Sequence, residues 1–116
     1  MQNKIEITNE QLLVVPQGVN KLTSLKNKIE IPLQHVCGAT IDEEILNESK
    51  GVRAPGTAIG DYWAGSFIKN GEKIFFNIKR GNLPVVIQLV NEKYTRLVLG
   101  VDNPKRTVDL INNKIN

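Results

Sequence analysis

The chain has 116 residues, 41% hydrophobic and 23% charged, enough for one hydrophobic core and a single domain over residues 1–116 without metal or disulfide support. That composition excludes an intrinsically disordered chain, and the lone cysteine, Cys37, excludes an internal disulfide framework. The formal charge of +3 and pI near 9.1 are mildly basic, but Lys and Arg are scattered singly or in pairs, so no nucleic-acid stripe is expected.

Most of the chain alternates apolar with polar residues, the signature of half-buried strands. Residues 4–8 form the first candidate, with Ile5 and Ile7 on one face. Asn9 and Glu10 make a turn, and residues 11–15 a second strand that ends near Pro16 and Gly18. Leu22 and Leu25 fit one helical turn or an apolar loop. Residues 28–31 alternate as a strand, Pro32 stops it, and residues 33–36 turn into a strand over residues 37–41. Residues 42–60 hold clustered acids, Pro55 and three glycines and read as a long loop, with one helical turn near residues 43–47.

The sharpest local signal is Asn70-Gly71, the preferred pair for a two-residue type I′ hairpin turn because both central residues need positive φ. Taking those two as the turn sets Lys69 opposite Glu72, Phe67 opposite Ile74, Gly65 opposite Phe76 and Trp63 opposite Ile78. One face then carries Trp63, Phe67, Ile74, Phe76 and Ile78. After a turn over residues 80–82, Pro84 opens a strand with Val85, Ile87 and Leu89 on one face. Residues 91–93 connect tightly to a strand bearing Leu97, Leu99 and Val101. Asn103 is a good helix N-cap and Pro104 fits the first helical position. Val108, Ile111 and Ile115 recur at helical spacing, so a helix over about residues 104–114 must cover an apolar surface. The expected fold is mostly β: a barrel or sandwich of about seven antiparallel strands closed by a C-terminal helix.

Several segments resemble a family. The run Lys28-Ile29-Glu30-Ile31-Pro32-Leu33-Gln34-His35-Val36, the loop Gly51-Val52-Arg53-Ala54-Pro55-Gly56-Thr57 and the strand Ala64-Gly65-Ser66-Phe67 occur in order. So do residues 85–89, Tyr94-Thr95-Arg96-Leu97-Val98 and Val101-Asp102-Asn103-Pro104. Together they resemble small bacterial proteins of the pleckstrin-homology-like type (bacterial PH domains). Asp61-Tyr62-Trp63 and Phe75-Phe76-Asn77 depart from that pattern. The resemblance implies a pleckstrin-homology-like barrel and implies a function only loosely, because such barrels bind phosphoinositides, peptides or other proteins.

The expectation is a non-enzymatic binding or scaffolding module for protein, with a small-molecule or lipid-like carrier as the second reading and an enzyme using Cys37 as the third. His35 and Cys37, two apart, would share a side of a strand, but no carboxylate or amide partner is marked beside them. One His and one Cys do not make a closed metal site, and Asp42, Glu43 and Glu44 lack the glycine-punctuated ladder of a calcium loop. No cofactor is expected. Phosphoinositide or membrane binding is not expected either, since the first hairpin loop, Thr8-Asn9-Glu10-Gln11, carries a carboxylate and no base. No apolar run reaches bilayer length and residues 12–15 are too short for a secretory core, so the expected compartment is the cytoplasm. The candidate interaction loop is Arg53, Ala54, Pro55, Gly56 and Thr57, where Pro55 and Gly56 stiffen a turn that could present Arg53 to an acidic partner or tie it to Asp61. The candidate association patch is Phe75, Val86 and Val90: if Val85, Ile87, Leu89 and Phe76 line the core, these three point outward. Either the segment over residues 42–60 covers them, or a partner or second copy does.

Overall fold

The computed structural model describes residues 3–17, 28–46, 52–59, 62–79 and 81–116, with the backbone alone for 52–59 and 62. Strands β1 (Asn3–Ile7), β2 (Gln11–Pro16) and β3 (Ile29–Pro32) form a three-stranded antiparallel sheet in that order. Strands β4 (Val36–Ile41), β5 (Val52–Ile59), β6 (Tyr62–Lys69), β7 (Glu72–Lys79), β8 (Val85–Leu89) and β9 (Arg96–Leu99) form a six-stranded sheet, ordered β4-β8-β9-β7-β6-β5. A 3-10 turn over Leu33–His35 links the two sheets, and helix α1 (Pro104–Ile115) follows β9. None of the described helices is long and apolar enough to cross a membrane.

The mostly-β class with a C-terminal helix holds, and the finer plan changes. Nine strands replace seven among the described residues, and β7 pairs with β9 in parallel, so the sheet is not purely antiparallel. The large sheet is also open: β4 and β5 are its two ends, so it does not close on itself. Residues 52–59 are a strand, not a loop, and residues 43–46 are the turn expected near residues 43–47. Gly56 and Pro55 look like loop punctuation but fall where the β5–β6 register shifts between Arg53 and Gly56. That shift is a β-bulge on an edge strand, where a proline is tolerated. The expected helical turn near Leu22 and Leu25 lies outside the described residues.

The β6–β7 hairpin has the register its turn predicts: Lys69 opposite Glu72, Phe67 opposite Ile74, Gly65 opposite Phe76 and Trp63 opposite Ile78. Asn70 and Gly71 sit at φ 54° and 80°, as a type I′ turn demands. Phe67, Ile74, Phe76, Ile78, Val86 and Val98 build one apolar cluster, with Trp63 against it and Ile45 and Leu46 lying over it. The opposite face of the same sheet carries Phe75, Val85, Ile87, Leu89, Leu97 and Leu99. It packs on Leu12, Val14, Ile29 and Ile31 of the small sheet and on Ile111 of α1. Both faces of the large sheet are therefore core, which explains why β7 reads as a nearly continuous apolar run.

Helix α1 begins as its sequence requires. The Asn103 side chain accepts a hydrogen bond from the Arg106 N–H, and Pro104 occupies the first turn. Its stripe buries Ile111 fully and Val108 and Ile115 in part. The helix lies along β4, where Asn112 accepts from the Ala39 N–H and donates to the Ala39 carbonyl, both at 2.9 Å. It seals one edge of the sheet; it does not plug a barrel.

Candidate functional site

The residues singled out in sequence do not converge. Arg53 faces Phe67 across the β5–β6 pair, and Gly56 faces Gly65, so residues 53–57 belong to an edge strand and its bulge. Among the described residues β5 has a neighbour on one side only, β6. The association patch comes apart. Phe75 and Val86 lie on opposite faces of the large sheet and are 0% and 2% exposed, each inside a core cluster of the chain itself. Val90 alone is open, at 45%. The error lay in placing Phe76 on the Val85 face. The parallel β7–β9 pairing sets Phe75 opposite Leu97, and the β8–β9 pairing sets Ile87 opposite Leu97, so it is Phe75 that shares the face of Ile87. Of the two covers considered for the outer face, residues 45 and 46 provide one from within the chain.

His35 has the carboxylate that sequence proximity did not offer. Its Nδ1 meets Oε2 of Glu92, from the turn between β8 and β9, and both side chains are partly buried. The Val90 N–H donates to the His35 carbonyl at 2.9 Å, so the 3-10 turn and the β8–β9 turn are fastened by side chain and backbone together. Cys37 is an exposed free thiol at the β4–β8 register shift, and no hydrogen bond joins it to His35. The pair therefore lacks the contact by which an imidazole activates a thiol. In the acidic turn, Asp42 accepts from the Glu44 N–H at 3.0 Å, which is local turn chemistry. No group of three or more metal-ligating side chains gathers among the described residues.

Two shallow clefts open among the described residues. One, of about 430 Å³, lies between the β1–β2 turn and the 3-10 turn and is lined by Asn9, Glu10, Gln11, Pro32, Leu33 and Gln34. Thr8 Oγ1 accepts from the Glu10 and Gln11 N–H groups and fixes its rim, and Lys114 of α1 reaches it to donate to Asn9 Oδ1 at 2.8 Å. A base thus reaches this loop from a distant element, where the sequence showed only Glu10. The other cleft, about 190 Å³, runs between β1 and the start of α1, past Lys4, Ile5, Asn103 and Arg106.

A further constellation was invisible in the sequence. The Tyr94 ring is buried, its hydroxyl 2.9 Å from Ser66 Oγ and its ring 5.6 Å from that of Phe75. The ammonium groups of Lys73 and Lys93 stand 5.8 and 5.6 Å from its centroid. Arg96 and Lys69 lie at the same end of the sheet, opposite Ile74 and Glu72 respectively. Lys73 and Lys93 come from two sequence regions and meet on one ring only because β7 and β9 run parallel, while Lys69 and Arg96 project from the other face of the same end. A linear scan sees them as scattered charges.

No protein-family model matches this chain, and neither the curated proteins nor the solved structures give a match.

Proposed function

We propose that this chain is a non-enzymatic binding or scaffolding module that acts in the cytoplasm by engaging another protein. The observation that carries this reading is the packing, among the described residues, of the space between the two sheets. A carrier in the sense of the second reading would hold its cargo between the sheets, and ligand sites are concave and substantially open to the ligand. Here that space is occupied by Leu12, Val14, Phe75, Ile87, Leu97 and Leu99, all fully buried. Recognition then falls to the outer surface. The pleckstrin-homology-like relationship is part of the proposal and rests on the sequence segments quoted above; the parallel β7–β9 pair stands outside the all-antiparallel plan expected from it.

Native mass spectrometry of the protein purified gently from its own cells tests the reading. The expected result is a stoichiometric complex with a second polypeptide that can be identified by sequencing. A monomer retaining a small organic molecule would overturn it in favour of a carrier. Rapid native alkylation of Cys37 that abolishes a measurable turnover would overturn it in favour of an enzyme.

A further inference from the structure

The end of the large sheet that carries the β6–β7 turn and the β8–β9 turn holds four cations, Lys69, Lys73, Lys93 and Arg96, and two carboxylates, Glu72 and Glu92. Both carboxylates are drawn aside. Glu92 is engaged by His35, and Glu72 lies 3.9 Å from Arg96 although the register sets it opposite Lys69. Among the described residues no carboxylate stands within salt-bridge distance of the Lys69, Lys73 or Lys93 ammonium groups.

Two of those ammonium groups share one aromatic ring. Tyr94 cannot swing away, because its hydroxyl is bonded to buried Ser66 and its ring rests against Phe75. The attraction of a cation for a ring face therefore favours rotamers that keep Lys73 and Lys93 at this site, and somewhat less side-chain freedom is lost when a ligand arrives. Ile68 pairs with Lys73 across β6–β7 and is 40% exposed, which sets an aliphatic contact beside the cations.

From this we propose that the Lys73–Tyr94–Lys93 end of the sheet docks an acidic, aliphatic-containing segment of a protein partner. Its carboxylates would approach the two ammonium groups and an apolar side chain would lie on Ile68. Charge complementarity selects the acidic segment. A single-stranded nucleic acid fits less well, because base stacking needs an open aromatic face and Tyr94 is buried. The inference rests on the binding-module reading and names the surface that module would use.

The test uses the full chain, isotopically labelled for amide NMR, titrated with a synthetic peptide of alternating Glu and Leu. Three comparison ligands are the Gln-for-Glu version of the peptide, a uridine oligonucleotide and vesicles containing phosphatidylserine. Saturable shifts centred on residues 68–73 and 93–96 are expected with the acidic peptide, weakening as salt rises. K73E/K93E should lower the affinity by roughly tenfold or more, with K73Q/K93Q between it and the parent and the amide dispersion of the β6–β7 hairpin unchanged in both. Equal binding of the Gln peptide, equal binding by K73E/K93E, or tighter binding of the oligonucleotide or vesicles at these lysines would overturn the proposal. Failure of this site is distinguishable from failure of the module reading. A native complex that survives K73E/K93E removes this surface and leaves the module standing, whereas a parent protein that forms no complex removes the module.

Discussion

Asn3 ties the small sheet to the large one by hydrogen bonds, beside the apolar packing between them. It is 2% exposed, and its side-chain amide donates to the carbonyls of Asn77 at 2.9 Å and Gly100 at 2.8 Å while accepting from Asn77 Nδ2 at 2.8 Å. Asn77, itself buried in β7, interrupts the apolar run over residues 74–78, which looks like a flaw until its partner 74 residues away is seen. Buried amides are tolerated only when their donors and acceptors are matched. Asn3→Leu keeps a similar size but removes the bonds to Asn77 Nδ2 and to the Gly100 carbonyl, while the Asn77 carbonyl keeps the Gly100 N–H at 3.1 Å. Each buried group left unmade costs about 1–3 kcal/mol, so a loss of at least that size is expected in urea unfolding, with the slope unchanged. A shift below about 0.5 kcal/mol would mean that water takes over the bonds.

At the scale of elements, turns and caps write themselves into neighbouring residues, and edges do not. The β6–β7 hairpin was legible because Asn70-Gly71 dictates a turn type and the turn dictates the register. A Cβ on Gly71 would meet nothing within 4 Å, so Gly71→Ala isolates the backbone cost of φ 80°. Thermal or denaturant unfolding should show a loss of about 1–2 kcal/mol, the penalty for an L-residue in the left-handed region, and a neutral result would mean the turn has changed type. Helix α1 was legible for the same local reasons, through Asn103, Pro104 and the Val108, Ile111 and Ile115 stripe. Its task at the edge was not. Asn112 presents to Ala39 an amide in place of the peptide group of a further strand, so β4 ends the sheet without an open ladder at that point. Asn112→Ala should cost about 1–3 kcal/mol, because it exposes one ladder step that is half-buried under the helix. Hydrogen exchange at Ala39 should quicken more than at Ile87 on the neighbouring strand, and equal exchange would show that the edge is held by helix packing alone. Strand β5 was misread as a loop because Pro55 and Gly56, which break strands in general, here mark a bulge at an edge.

Across the whole molecule, what could not be read is what depends on pairing between distant strands. Alternation within β7, β8 and β9 shows which residues share a side of each strand, but the register between strands decides which sides coincide, and a one-residue slip exchanges them. The parallel β7–β9 pair sets Phe76 opposite Val98, and β8–β9 sets Val86 opposite Val98, so Val86 joins Phe76 in the cluster under Ile45 and Leu46. The basic end of the sheet was hidden by the same fact, since Lys73 and Lys93 approach one another only through that pairing. The two-faced core gives a prediction that separates cover from contact. Val86 is 2% exposed, and Val86→Lys would place an unpaired ammonium among Phe67, Phe76 and Leu46, at an effective cost of several kcal/mol. This exceeds or matches the margin of a small domain, so V86K is expected to lose cooperative unfolding and near-UV signal. Val90 lies just beyond the end of β8 and is 45% exposed, so V90K should unfold within about ±0.5 kcal/mol of the parent. One open valine is also far short of the roughly 800 Å² per partner that a stable interface buries, so light scattering should give V90K the mass of the parent. A lower mass for V90K would return this surface to the role of a self-association contact, and a stably folded V86K would show that residues 45 and 46 do not close over the sheet.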